Sequence, residues 1–460
     1  MWIPDITKLE GPRYLAVAIA IAKAIDGGEL PPGAQLPPQR DLAVKLGVTV
    51  GTISRAYTLA KKRKLVSGEV GRGTFVSGAR DASNAASVIP QMDARAVDLA
   101  CYRTPVADLA ETIAKSLSEM SERADLLPLH RYPPAAGFLS HRAAGAAWIG
   151  RSGMEVSPDS VLICNGAQQG LSLALAALAS PGEKLLTETV TYSGLKALAA
   201  LNNIELCGVA MDEQGIIPEA LEQMLEVVEA RLIYLQPTVH NPTTAFMDAE
   251  RRRKIADIIR RHDLTLIEDD AGCTALTDRP LPIASLVPDR SVYITSVSKC
   301  LSPALRIGYL AAPTHILEMI QSVFHANVLG ASPLMAELVS QMISSGAAHE
   351  IAQRNLEESG RLNRAALRLL KGHDVRSHPA CFYLWLMLPK QWSAEEFAAA
   401  ARADGVSVVP ADNFLASREA SAHGVRVSLN PSFNPDVLHK GLDVLNRLLN
   451  TAPRLRETVI

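Results

Sequence analysis

Along the first 76 residues the apolar positions change period repeatedly, and each change marks an element. Residues 12–28 repeat apolar side chains at helical spacing and stop at Gly27-Gly28. Glu29 to Pro37 holds too many prolines for helix or strand and reads as a turn-bearing connector. A short helix over Gln39 to Leu46 is stopped by Gly47. A second runs from about Val50 to Lys62, with Ile53, Ala56, Tyr57 and Ala60 as its core-facing stripe. Leu65-Val66 and Thr74-Phe75-Val76 flank a glycine-rich stretch, Gly68 to Gly73, as the arms of a hairpin. Helix, turn, helix and two-stranded wing together predict a winged helix-turn-helix.

Residues 77–93 are small and polar and predict a linker. Beyond them, short β-branched runs alternate with amphipathic helical stretches. Val161–Cys164 precedes a helix from Ala167, and Arg231–Leu235, Leu264–Glu268 and Ser291–Ser296 follow. Such alternation predicts an α/β domain with a mainly parallel sheet and helices on both faces. The expected organisation is a DNA-reading domain over 1–76, a linker over 77–93 and a larger ligand-binding domain over 94–460. The richest apolar run, Tyr14 to Ile25, carries Lys23 and suits a buried helix better than a membrane span. Met-Trp-Ile-Pro-Asp lacks the basic-then-apolar pattern of a secretory leader, so a cytoplasmic protein is expected.

Charge sharpens the division. Residues 1–76 hold 11 Lys/Arg against 6 Asp/Glu, whereas the remainder holds 35 against 42. A basic small domain joined to an acidic large one implies a polyanionic partner for the first alone. The 6 cysteines are dispersed without a Cys-x-x-Cys pair, which argues against a disulfide framework or a metal site.

The second helix of the pair opens with Thr49, Thr52 and Ser54 as short hydrogen-bonding side chains, followed by Arg55. That set suits base edges in a major groove. Arg40, opening the first helix, can clamp a phosphate. Arg72 between Gly71 and Gly73 can enter a minor groove, because flanking glycine lets backbone approach closely. Operator DNA is the expected partner. Residues 12–76 resemble the GntR group of bacterial regulators. The resemblance rests on Gly-Glu-Leu-Pro-Pro-Gly-Ala-Gln-Leu-Pro-Pro-Gln-Arg-Asp-Leu-Ala, Gly-Val-Thr-Val-Gly-Thr-Ile-Ser-Arg-Ala-Tyr and Gly-Arg-Gly-Thr-Phe-Val. It departs at Lys64, where the group commonly has glycine.

A second constellation centres on Lys299, in Ser-Val-Ser-Lys-Cys-Leu-Ser-Pro-Ala-Leu-Arg. A lysine closing a β-branched run, with Ser296, Ser298 and Arg306 around it, suits an aldehyde cofactor that carries a phosphate: pyridoxal 5'-phosphate. Asp269, after an apolar strand, can hold the pyridine nitrogen protonated. Asn241 can donate to the ring oxygen, and Tyr192 can stack on the ring. Ala167 and Gln168 open a helix after Asn165-Gly166, so their backbone N–H groups point at an anion.

Residues 127–448 resemble the aspartate-aminotransferase-like, fold type I enzymes, and above all the MocR subfamily of GntR regulators, which fuse a winged helix to such a domain. Tyr132 to Gly137, Asn241-Pro242-Thr243-Thr244, Glu268-Asp269-Asp270 and Arg426-Val427-Ser428-Leu429 carry the likeness. It implies that Lys299 is the internal aldimine lysine, Asp269 the ring-nitrogen partner and Asn241 a ring-oxygen donor. Ser296, Ser298 and Arg306 would bind phosphate, and Tyr132 would reach it from the other subunit of a homodimer. Arg426 would take the α-carboxylate of an effector.

The family's tyrosine two or three residues after the aspartate is missing, with Ala271 and Gly272 in its place. Loss of that phenol favours cofactor binding over fast transamination. The sequence therefore reads as a regulator sensing an amine, an amino acid or pyridoxal phosphate itself. A working aminotransferase with an attached DNA-binding domain, and a scaffold repressor with a structural cofactor, are the alternatives.

Overall fold

The computed structural model describes residues 2–4, 13–31, 33–62, 65–69, 73–76, 97–101, 107–122, 129, 131–272, 276, 278–417, 420, 422–429 and 434–451. The chain divides into two compact units, Met1–Ala86 and Ser87–Ile460. The proposed linker, 77–93, and Arg72 lie outside the described residues.

The first unit contains helices α1 (Arg13–Asp26), α2 (Gln39–Leu46) and α3 (Val50–Lys62), then strands β1 (Val66–Glu69) and β2 (Gly73–Val76). Gly47 ends α2 in the left-handed conformation at φ 62°, where glycine carries no Cβ penalty. Val17, Ile21, Leu42, Ile53, Ala56 and Tyr57 form the core between the helices. The connector does more than turn. Leu36 N–H donates to Thr74 O at 2.8 Å and Val76 N–H to Ala34 O at 2.8 Å, so Ala34–Leu36 pairs with the wing. Its prolines leave enough N–H groups for this edge role.

In the second unit the first half runs β3 (Val97–Asp98), α4 (Ala107–Ser121), α5 (Leu139–Gly150), β4 (Val161–Cys164), α6 (Ala167–Leu178), β5 (Lys184–Glu188), α7 (Ser193–Leu201) and β6 (Glu205–Val209). A small hairpin, β7 (Met211–Asp212) and β8 (Gly215–Ile216), leads to α8 (Pro218–Val227), β9 (Leu232–Leu235), α9 (Ala249–Arg261) and β10 (Thr265–Asp269). Then come α10 (Ile283–Leu286), β11 (Ser291–Ser296), β12 (Gly308–Ala311), α11 (Thr314–Asn327), α12 (Pro333–Ser344) and α13 (Ala347–Leu369). The chain ends with β13 (Val375–Arg376), β14 (Tyr383–Met387), α14 (Ala394–Ala403), β15 (Val406–Ser407), β16 (Val409–Pro410), β17 (Gly424–Ser428) and α15 (Pro435–Leu449).

Seven strands form the main sheet in the order β4-β12-β11-β10-β9-β5-β6. Only β12 runs against its neighbours, β4 and β11. Strands buried on both faces read as continuous apolar runs, as in Leu232–Leu235. A smaller antiparallel sheet, β13-β14-β17-β16, builds a second lobe with its own core around Trp385, Phe397, Phe414 and Val427. Among the described residues no helix is long and apolar enough to cross a membrane.

Candidate functional site

Parallel strands β9 and β10 set the floor of the site at their carboxyl ends, where open α/β sheets leave a crevice. Asp269, the last residue of β10, is buried at 5 % exposure. Its Oδ2 accepts from Tyr234 Oη at 2.7 Å and Gln236 Nε2 at 3.1 Å, and its Oδ1 from Ala271 N–H at 3.0 Å. Burial raises the Asp269 pKa, the neighbouring Asp270 adds to this, and the three donors oppose it. Strand alternation sends the flanking carboxylates the other way. Asp270 pairs with Arg279 at 2.7 Å and accepts from the Tyr293 hydroxyl; Glu268 lies 4.0 Å from Arg252 and accepts from Ala284 N–H at 2.7 Å. An acidic triplet in sequence thus becomes one carboxylate for the crevice and two for buried arginines.

Opposite stands the lysine loop. Ser296 closes β11, its Oγ accepts from Ser298 N–H at 3.2 Å, and the buried Ser298 Oγ has no partner among the described residues. Arg306 donates to Asn165 O at 3.0 Å and packs against Gly166, where a Cβ would meet Nη2 at 2.7 Å. Gly166 takes φ 84° just before α6, so the N–H groups of Ala167 and Gln168 open that helix beside the guanidinium. Lys299 keeps access to solvent. Its pKa is lowered to about 8, first by desolvation and then by the Arg426 and Arg306 charges, with Cys101 opposing. An accessible amine that loses its proton near neutrality is nucleophilic.

The remaining predicted residues ring this space. Tyr192 precedes α7, its ring lies over Gly194, and burial with the Asp269 charge raises its pKa to about 12. Gln168 donates through its side chain to Gly194 O at 3.2 Å, which adds a side-chain role to the predicted backbone one. Arg426, on β17, donates to Asn241 Oδ1 at 2.8 Å and to Ala100 O at 2.9 Å. Its guanidinium lies over the Phe414 ring at 5.1 Å and the Tyr383 ring at 5.7 Å, and its Nε is buried without a partner among the described residues. Because Asn241 accepts through oxygen, its amide N–H₂ remains the group that can donate. The Asn241 loop holds Val239 at φ 51° and Thr244 at φ 61°, left-handed backbone that is costly for β-branched residues. Tyr383 Oη donates to Val239 O at 3.1 Å and helps pin it.

Tyr132 stands apart, 83 % exposed. Sequence reasoning missed Tyr234 and Gln236. The signal was present, since Tyr234 is a phenol at the penultimate position of a strand paired with the Asp269 strand.

In the first unit Thr49 Oγ1 accepts from Thr52 N–H at 3.2 Å and sits 2.9 Å from Thr52 Oγ1, capping α3. Arg55 is exposed, with its guanidinium 4.8 Å from the centre of the Tyr14 ring on α1. Arg40 is exposed at the start of α2, and Ser54 is half-buried. Gly73 opens β2 at φ 123°, with the Gln35 amide where a Cβ would stand.

Residues 97–445 match the family model "Aminotransferase class I and II", and residues 13–76 match "Bacterial regulatory proteins, gntR family". The chain belongs to the class I and II aminotransferase family, joined to a gntR-family domain. That pairing is the MocR subfamily arrangement. The uncharacterized HTH-type transcriptional regulator YdeF of Bacillus subtilis is 34% identical over 451 residues, 98% of this chain and 97% of that protein. The HTH-type transcriptional regulator TauR of Rhodobacter capsulatus is 26% identical, covering 93% of this chain and 95% of its own. Among solved structures, LysN, the α-aminoadipate aminotransferase of Thermus thermophilus complexed with N-(5'-phosphopyridoxyl)-L-leucine, superposes with TM-score 0.71. It is 26% identical and covers 80% of this chain and 96% of that one.

Proposed function

We propose that this chain is a DNA-binding transcription regulator whose second unit holds pyridoxal phosphate at Lys299 and senses a small amine or amino acid. Domains over 1–76 and 94–460, joined by a linker over 77–93, are part of this reading, as are a homodimer and a cytoplasmic setting. One observation carries it: Lys299, its pKa lowered in part by the Arg426 charge, closely follows the strand paired with that of Asp269, on a chain that also has a gntR domain.

The residues present fit the cofactor. Ser298 Oγ is a buried donor without a partner among the described residues, which a phosphate oxygen would satisfy. Arg306 and the first turn of α6 converge on the same place with positive charge and free N–H groups. When bound, pyridoxal phosphate supplies an aldehyde that condenses reversibly with primary amines, so an effector amine can take the place of Lys299. With the cofactor bound, Asp269 would hold a proton on the ring nitrogen, Tyr192 would cover the ring and Asn241 would donate to its oxygen. Arg426 exchanges its bond to Asn241 Oδ1 for the effector's carboxylate, which offers two oxygens to the guanidinium. Differential contact of this kind is what lets an effector shift the regulator between states. Tyr132, exposed in the single chain, suits a role toward a partner subunit's cofactor.

Purified protein incubated with pyridoxal phosphate should absorb visibly, and borohydride should fix a pyridoxyl group on the Lys299 peptide. In Lys299→Ala neither should occur, and operator binding should lose its response to amines. Wild-type protein that stays colourless with excess cofactor overturns the reading. The complete set of Lys299, Asp269 and Arg426, with the likeness to LysN, supports a second reading as a transaminase. Sustained turnover with an amino acid and a keto acid, on the order of 1–1000 per second, would promote it.

A further inference from the structure

The tip of α3 exposes a side chain ill-suited to water. Val50, its first residue, is 44% exposed, while Ile53, Ala56 and Tyr57 of the same helix are buried in the core. Beside it Gly51 presents bare backbone, with only Thr49 Oγ1 at 3.8 Å from where a Cβ would stand. The polar groups that would otherwise dominate this turn are engaged. Thr49 and Thr52 hydroxyls lie 2.9 Å apart, Thr49 Oγ1 also takes the Thr52 N–H, and the Arg55 guanidinium lies over the Tyr14 ring. What the tip offers outward is an isopropyl group next to a gap.

In a helix-turn-helix the start of the second helix meets base edges in the major groove. There the apolar feature that distinguishes one base pair from the others is the thymine C5-methyl group. We propose that Val50 reads a thymine methyl in each operator half-site, with Gly51 leaving room for the close approach. The inference rests on the DNA-binding reading of this unit and deepens it, because it assigns specificity to an aliphatic side chain instead of to Arg55. Burying the single C5-methyl group at the contact is worth about fourfold in affinity per half-site.

The test uses full-length protein. Duplexes are enriched from a random library, and in the best one each thymine is replaced in turn by deoxyuridine, which removes only the C5-methyl. One position per half-site should then weaken wild-type binding about fourfold. Val50→Ala should bind the thymine and uracil duplexes equally. Val44→Ala, which trims another exposed valine on α2, should keep the wild-type uracil penalty. Unchanged thermal unfolding of both variants shows that α3 is intact. A wild-type protein indifferent to every uracil, or a Val50→Ala variant that keeps the penalty, overturns the assignment while DNA binding stands. If no duplex is enriched, the DNA-binding reading falls and the assignment with it.

Discussion

Tyr234→Phe removes one hydroxyl from a buried site and leaves the ring's shape intact. Tyr234 is fully buried, and its Oη is 2.7 Å from Asp269 Oδ2. A hydrogen bond to a charged group contributes about 1.5–3 kcal/mol. Gln236 Nε2 at 3.1 Å and Ala271 N–H at 3.0 Å remain on the carboxylate, so a loss of about 2 kcal/mol is expected at pH 8. The loss should depend on pH in a definite direction. Burial already raises the Asp269 pKa above its unfolded value, and removing a donor raises it further. Asp269 then binds its proton more readily folded than unfolded, so the variant loses most stability where the unfolded carboxylate is ionised and the folded one is strained. Well below the unfolded value, near pH 3, both states are largely protonated and only a neutral hydrogen bond of about 1 kcal/mol is missing. The loss at pH 8 therefore exceeds the loss at low pH by about 1 kcal/mol. Urea unfolding of cofactor-free protein, followed by the buried Trp148, Trp385 and Trp392, measures it at both pH values. Equal midpoints at pH 8, or a gap that does not shrink toward pH 3, would refute the argument.

Two further outcomes test the same site. Gly166→Ala forces a Cβ onto Arg306 Nη2 at 2.7 Å with the backbone at φ 84°, so cofactor affinity should fall at least about tenfold as Arg306 shifts; titration within twofold of wild type would remove both from the phosphate site. Because the Lys299 pKa is lowered to about 8, the rate of cofactor attachment should rise with pH and level off near pH 8–9; a rise that continues past pH 10 would mean an ordinary lysine.

Much of the fold was legible because its signals are local. The helix-turn-helix follows from apolar period and from Gly47, whose left-handed φ of 62° ends α2. Strands β4, β9, β10 and β11 are apolar runs too short for helices. Strand β12 was not read, because an antiparallel strand between β4 and β11 depends on pairing between segments far apart in sequence. The Ala34–Leu36 segment likewise looks like a turn alone and gains its ladder only from Thr74 and Val76.

Residue type and spacing by themselves determined that this protein has a basic winged helix and an α/β unit with a lysine, an aspartate and an arginine suited to pyridoxal phosphate and a carboxylate. Only the tertiary structure decided how those groups are held. Tyr234 and Gln236 lie under Asp269, Asn241 engages Arg426, and Arg55 rests on Tyr14. The Lys299 pKa is likewise a product of packing, since it is lowered by desolvation and by the charge of Arg426, more than a hundred positions away. Local sequence sets backbone preference and side-chain chemistry; burial, charge proximity and hydrogen-bond partners are sums over neighbours that exist only once the chain has folded.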